Sequence, residues 1–282
     1  MERHRLINLG GRLMDCTRPL VMGVINITPD SFYQDSRHDS VSRVLETVAR
    51  MVEEKADIID VGGYSTRPGA DEVPVKDELE RVIGALTSIR KEFPELVLSV
   101  DTFRSSVAKA ARSEAGVDII NDISGGMLDD NMFKLVATLN IPYVMMHMQG
   151  TPATMQKKPV YNDVVSDIIE WFGKRISLLE EAGVRDIIVD PGIGFGKTTE
   201  QNYEIIGRLA EFEVVSRPLM AGVSRKSLIW KTLGTTPGEA LNGTTALNMA
   251  LLINGAAILR VHDVREAVET VSLYHKISGS GL

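Results

Sequence analysis

Asp101, Asn121, Asp190, Lys226, Arg260 and His262 stand at or just beyond the ends of apolar runs in this 282-residue chain. Two carboxylates, a carboxamide, a lysine, a guanidinium and an imidazole on one rim would make a planar donor–acceptor array for a nitrogen heterocycle beside a place for an anion. Taken singly, Asp101 in Ser99-Val-Asp-Thr102 and Asn121 in Ile120-Asn-Asp122 read as cap or turn residues. Converging, they read as a binding array. Asp190 resists a structural reading, because a carboxylate that ends a buried strand needs a partner or a ligand. Asp122 reads as a cap. Asp60 and Asp118, inside or at the start of their strands, read as structural.

The segment Val189-Asp-Pro-Gly-Ile-Gly-Phe-Gly-Lys-Thr198 lies between a strand and a helix, the setting of a phosphate loop, but it is a near miss. Pro191 stands where the P-loop needs its first glycine, and Thr199 where the dinucleotide fingerprint needs its last. In Ser224-Arg-Lys-Ser227, Lys226 supplies a point charge and donors for a carbonyl or phosphate. Strand alternation puts Arg260 and His262 on one side, facing one ligand and suited to a leaving group or oxyanion. Asn26 offers a carboxamide oxygen, acceptable to a hard cation that keeps most of its waters and binds substrate phosphates. No His/Cys cluster suggests zinc. Met145, Met146 and Met148 read as core or pocket lining.

These residues need a scaffold with one mouth. Eight apolar runs recur, at 20–27 and near 57–62, 96–101, 117–121, 141–147, 186–190, 217–222 and 256–261, and helical periodicity follows nearly every one. That alternation predicts an α/β fold, a (β/α)8 TIM barrel with its chemistry at the carboxyl ends of the strands. Helices are expected at 78–91, 164–181 and 200–211, the last capped by Thr199. Residues 5–15 read as a short hairpin turned by Gly10 and Gly11 that plugs the bottom of the barrel. The whole chain, 1–282, is read as a single domain, with an N-terminal hairpin within 1–16 and a loose tail at 278–282. Connections at 28–39, 62–75 and 148–161 are long enough to be lids or binding loops.

Composition narrows the ligand. A formal net charge of −7 argues against a nucleic-acid or anionic-membrane surface, whereas Arg67, Arg225, Lys226, Arg260 and His262 concentrate positive charge in a few motifs. An anionic small molecule is the natural reason. Cys16 is the only cysteine, so no intrachain disulfide forms and a reducing compartment is compatible. The first sixteen residues lack the apolar core of a signal peptide. The apolar stretch 247–261 is interrupted by Asn248, Asn254 and Gly255 and is too short to span a bilayer. A soluble, cytoplasmic protein is expected.

Gly23–Phe32, Asp60–Gly69, Ser99–Thr102, Ile120–Asp122, Met146–Gly150, Asp190–Lys197, Ser224–Ser227 and Arg260–Asp263 together, in order, resemble the dihydropteroate synthase family of the folate pathway. The resemblance implies a barrel that joins p-aminobenzoate to dihydropterin-methyl diphosphate and releases diphosphate with Mg²⁺, a homodimer, and a sulfonamide target. Position by position it makes Asp101, Asn121, Asp190 and Lys226 pterin contacts, with Thr66 at the pterin diphosphate. Asn26, Arg260 and His262 would hold the diphosphate, Asn26 through Mg²⁺. Phe32, Arg67, Pro68 and Ser227 would shape the p-aminobenzoate pocket. Two places depart from the family pattern: Tyr33-Gln34-Asp35-Ser36 displaces the lid aspartate by one position, which leaves Asp35 or Gln34 for its role, and Tyr64 stands where glutamate is common.

Two other readings compete. A corrinoid-dependent methyltransferase domain uses a similar barrel but would not need Thr66-Arg67-Pro68, Lys226 or the Arg260/His262 pair. A non-catalytic pterin-binding protein would not need intact lid and diphosphate residues.

Overall fold

The structure is a computed structural model that describes residues 6–9, 11–27, 37–64, 73–151, 155 and 159–279. A two-stranded antiparallel hairpin, β1 (Leu6–Leu9) and β2 (Arg12–Asp15), precedes eight parallel strands. These are β3 (Leu20–Asn26), β4 (Ile58–Gly62), β5 (Val97–Asp101), β6 (Ile119–Asp122), β7 (Tyr143–Met146), β8 (Ile187–Asp190), β9 (Met220–Ala221) and β10 (Ile258–Val261). The hydrogen-bonded order is β8-β7-β6-β5-β4-β3-β10-β9, and a bridge between Val189 and Leu219 joins the two ends into a barrel. Helices α1 (Arg37–Glu53), α2 (Val75–Glu92), α3 (Ser105–Ala115), α4 (Met132–Leu139), α5 (Val164–Glu181), α6 (Thr199–Gly207), α7 (Ser227–Leu233), α8 (Leu241–Ile253) and α9 (Val264–Ser278) surround it. The expected (β/α)8 architecture is present. Among the described residues, no helix is long and apolar enough to cross a membrane.

The strands are apolar on both faces because each is buried on both. Their outward residues pack on the helices in the main core, in which Ile59, Val61, Leu98, Val100 and Ile120 are inaccessible to solvent. The inward residues form a second core at the bottom of the barrel: Met22, Ile58, Val97, Ile119, Val144, Ile188, Met220 and Ile258, at least one from every barrel strand. Ile7 and Leu9 of the hairpin close it from below, so the expected plug is real. Asp186 Oδ1 accepts from the Asn8 N–H at 2.9 Å and ties the plug to the start of β8.

The boundaries of α6 and β9 differ from expectation. Thr198, not Thr199, caps α6: its hydroxyl accepts from the Gln201 N–H while the Gln201 side chain accepts from the Thr198 N–H, a capping box. The helix stops at Gly207 and continues as a 3-10 segment, Leu209–Val215. Strand β9 is also far shorter than the 217–222 run. Pro218 lacks an N–H to extend the ladder toward its start.

Candidate active site

Counting in twos from the apolar inner layer leads up each strand to the mouth. The inward residues become Asp60 and Gly62 on β4, Ser99 and Asp101 on β5, Asn121 on β6, Met146 on β7 and Asp190 on β8. On β10 they are Arg260 and then His262, just beyond the strand. Register agrees, pairing Asp60 with Ser99 and Asp101 with Asn121 across neighbouring strands. One alternation therefore gives the barrel a greasy floor and a polar ceiling.

Asp101, Asn121, Asp190, Lys226, Arg260 and His262 line one small cavity together with Val24, Ile123, Met146, Phe195, Gly222 and Ser224. Two larger clefts, of roughly 360 and 500 Å³, open instead near the strand starts, around Cys16 and Arg217 and around Leu6 and Arg185. Volume does not choose the site; chemistry does. Met146 and Met148 join Ile123, Met155, Phe103 and Phe195 in an apolar collar around the mouth.

Arg260 is the hub. Its Nε donates to Asp60 Oδ2 at 2.8 Å, and its Nη2 lies 2.7 Å from both Asp60 Oδ2 and Asp101 Oδ2. Asn121 Nδ2 donates to the same Asp60 oxygen at 2.9 Å. Burial, first, and the neighbouring Asp60, Glu78 and Asp122 charges raise Asp101 to about 7, against the lowering influence of Arg260. Burial of Arg260 opposes its charge, but Asp60 and Asp101 outweigh it and hold the guanidinium firmly protonated. Asp60 was expected to be structural, and the structure brings it into the site. Sequence offered only phase, Asp60 alternating with Gly62; the register that sets Gly62 beside Asp101 comes from the structure.

Asp190 Oδ1 accepts from the Gly192 N–H at 2.7 Å, and burial raises its carboxyl above the ordinary aspartate value. Lys226 Nζ donates to Ile193 O at 2.5 Å and stands 4.7 Å from the Phe195 ring centroid; burial lowers it to about 8. Among the described residues, no ion pair within 4 Å joins Asp190 to Lys226. Each keeps bonding capacity for a ligand. A Cβ at Gly194, φ +89°, would come within 3.0 Å of the Lys226 stem, so glycine is needed where that side chain crosses the loop.

His262 opens to solvent on one side of the mouth, but the atoms crowded around the rest of its ring, then Arg260, Arg225 and Lys226, push it down to about 4. It is neutral at pH 7. Ser224 Oγ accepts from the His262 backbone N–H at 3.2 Å and lies 3.1 Å from Nδ1. Where the Ser224 hydroxyl donates to Nδ1, the neutral ring carries its proton on Nε2 and presents it as a donor. Arg225 points elsewhere: its Nε and Nη2 donate to the two Asp263 carboxylate oxygens at 2.9 and 2.8 Å. That bidentate pair ties the β9–α7 loop to the start of α9.

Asn26 ends β3 exposed on the rim, and Ser227 is the exposed first residue of α7. Tyr64, at the position that departs from the family pattern, packs edge-on against Phe103, centroids 5.1 Å apart, with the Arg104 guanidinium 5.4 Å from its ring. Phe32, Gln34, Asp35, Thr66, Arg67 and Pro68 lie outside the described residues. Asp122 is the cap it was expected to be, accepting from the Ser124 and Gly126 N–H groups and the Tyr143 hydroxyl. Asp118 is structural, bonded to Arg90 and the Leu98 N–H.

A model of the family described as "Pterin binding enzyme" matches residues 22–262. Dihydropteroate synthase of Escherichia coli K12 is 41% identical over 263 residues, 93% of this chain and 92% of that protein. The chain belongs to the dihydropteroate synthase family of pterin-binding enzymes. The solved Yersinia pestis member, in a sulfonamide drug complex, shares 36% identity and a TM-score of 0.90, covering 98% of this chain and 100% of that one. The Xanthomonas albilineans dihydropteroate synthase has been solved with 4-aminobenzoic acid (35% identity, TM-score 0.88) and with 7,8-dihydropteroate (34%, 0.86), each covering 97% of this chain and 98% of that one. In this family setting, the cavity lined by Asp101, Asn121, Asp190 and Lys226 is the candidate pterin pocket.

Proposed function

We infer that the chain is a dihydropteroate synthase: it condenses (7,8-dihydropterin-6-yl)methyl diphosphate with p-aminobenzoate to give 7,8-dihydropteroate and diphosphate. The observation that carries the assignment to these residues is the convergence of Asp101, Asn121, Asp190, Lys226, Arg260 and His262 on one cavity at the carboxyl ends of the strands. An amino-pyrimidine edge presents donors to Asp190 and Asn121, and Lys226 donates to the ring's acceptor side. The diphosphate then lies toward Arg260 and His262.

The reaction breaks the C–O bond first, with the electron pair leaving on the diphosphate. Neutral His262 offers its Nε2–H and Arg260 its remaining guanidinium donors to the departing oxygens, and these fixed donors favour the charge that develops there. The electron-rich pterin delocalises the cation left on its methylene. The neutral aniline nitrogen attacks that carbon, forming the C–N bond, and sheds a proton. No strong general base is required, since the aniline is already neutral.

The donor set fits Mg²⁺ in one manner. Among the described residues, no group of three His, Cys, Asp or Glu could hold a metal, while the Asn26 carboxamide is exposed at the rim. Such a site suits a cation carried mainly by diphosphate and water, with Asn26 as a protein ligand and Asp35 as a second by sequence. Bound there, Mg²⁺ would neutralise charge on the leaving group.

A cytoplasmic homodimer completes the reading. Burial pushes the lone Cys16 thiol up to about 12, an inert group that suits a reducing compartment. Ile253, Leu273 and Ile277 are more than half exposed on the outer helices α8 and α9, an apolar surface for self-association. The assay is diphosphate release on mixing the protein with both substrates and Mg²⁺. Release only when both are present supports the synthase; no release, with a methyl group passed from a reduced folate, supports the methyltransferase reading.

A further inference from the structure

We propose that Asp60 is a positioning residue of the pterin site: it turns Asn121 oxygen-first toward the cavity and holds Arg260 in place beside Asp101. The proposal rests on the dihydropteroate synthase reading.

Asp60 sits mid-strand on β4, wholly buried, with its side chain inside the barrel. One of its carboxylate oxygens does all of the bonding. Oδ2 accepts from Asn121 Nδ2 at 2.9 Å and Arg260 Nε at 2.8 Å, with Arg260 Nη2 at 2.7 Å. Oδ1 has no partner, and neither has the buried Ser99 Oγ on the adjoining strand. A half-satisfied carboxylate is a poor structural element, because burying a charge beside an unfilled acceptor costs more than an apolar residue of similar size. Its position is explained by what it does to its two neighbours.

Asn121 lines the cavity and has two chemically opposite ends. With Nδ2 committed to Asp60, Oδ1 is the end left to face a ligand. Rotating the amide by half a turn would set Oδ1 against Asp60 Oδ2, two acceptors in contact. The carboxylate thereby makes position 121 an acceptor, selective for a heterocycle edge that carries an N–H. Arg260 is constrained likewise: Nε and Nη2 are taken by carboxylates, which leaves Nη1 as the uncommitted end. If a ligand draws Asp101 away, Asp60 still holds the guanidinium. Asp101 faces Arg260, Asp60, Glu78 and Asp122, so charge at position 60 is also felt in its protonation.

The test is Asp60→Asn, with Asp60→Ser as a second variant should the first not fold. The carboxamide that Asp60→Asn introduces can donate to Asn121 Oδ1 and so permits the flipped amide. The dissociation constant of a pterin without diphosphate, by calorimetry, should rise at least tenfold, while the Michaelis constant for p-aminobenzoate and the melting temperature stay near wild type. The pH midpoint of pterin binding near 7 should move to lower pH, since Asp101 loses a like charge and gains sole use of Arg260. Combining Asp60→Asn with Asn121→Asp restores the hydrogen bond in reverse and again presents an acceptor at 121; it should recover part of the affinity. Wild-type affinity and pH midpoint in Asp60→Asn would overturn the proposal. So would equal losses in both substrates with a lowered melting temperature, which mark a structural role. Wild-type turnover tests the reaction and the variant-to-wild-type ratio tests Asp60, so the two readings fail separately.

Discussion

Lys197 Nζ lies 3.2 Å from His147 Nδ1 inside the protein, and three backbone carbonyls complete its surroundings: His147 at 3.3 Å, Gly192 at 3.0 Å and Phe195 at 2.9 Å. The lysine of the near-miss phosphate loop points inward and pins the β8–α6 loop to the end of β7. Gly192 makes room for that contact, since a Cβ there would stand 2.0 Å from His147 O.

This buried cation should leave a signature in stability. Burial lowers Lys197 from 10.5 to about 7, with Asp190 opposing and Lys226 adding to the shift. The unfolded chain therefore binds more protons between about pH 7 and 10.5, and this group's contribution to stability rises with pH across that window, by at most about 1.4 kcal/mol per unit. Below pH 7 the folded protein carries the full penalty. Melting curves of wild type and Lys197→Met against pH should differ in slope between 7 and 10, the variant being flatter. Parallel slopes would mean that the lysine does not titrate there.

Asp190→Asn and Lys226→Ala should each weaken pterin binding by about 2–5 kcal/mol, the scale for truncating a desolvated, hydrogen-bonded charge. No direct ion pair joins the two, but each is the other's main compensating charge; Gly192 N–H and Ile193 O still partner the group that remains, and the fold should persist. Calorimetry with a pterin and a far-ultraviolet dichroism spectrum decide both points. Unchanged affinity in either variant removes that residue from the site.

His262 gives a proton-linked prediction. Held at about 4 in the free protein, it should be drawn upward by the negative charge of diphosphate, so binding takes up a proton and strengthens as pH falls toward 5. Titrations in two buffers of different ionisation enthalpy measure that uptake directly. It should vanish in His262→Gln, and persistence there would place the proton elsewhere.

Mg²⁺ dependence should reside at Asn26. Chelating the metal should abolish thermal protection by diphosphate, and Asn26→Ala should raise the Mg²⁺ concentration needed to restore it several-fold. A pterin without diphosphate should bind the variant as it binds wild type. Equal Mg²⁺ requirements in variant and wild type would remove Asn26 as a ligand.

The barrel and the polar strand ends were legible because strand termini interrupt apolar runs: Asp101, Asn121 and Asp190 announce themselves by ending Val- and Ile-rich segments. Asp60 was not, since it falls inside its run, and only the phase of neighbouring strands shows which way it points. The segment around Lys197 already reads as a near miss for a phosphate loop, and its glycines serve close backbone approach. The Thr198 cap had a signal in Gln201, three residues on, that outweighed the equally plausible Thr199. Arg225 shows that clustered positive charge does not identify its own partner: Asp263, thirty-eight positions away, takes it.

The joint between β8 and β9 bears on how the barrel breathes. Its other neighbouring strands meet along ladders of two or more register pairs, but β8 and β9 share one bridge, Val189 with Leu219, supported by the Val189 N–H to Pro218 O bond. In mechanical terms the barrel is a split ring, and its split should be where opening takes least free energy. Asp190 stands on one bank and Lys226 follows the other. A molecule gripped by both acts as a clasp, so part of its binding free energy stiffens the ring, and the backbone amide of Val189 should exchange with solvent more slowly once the clasp is shut.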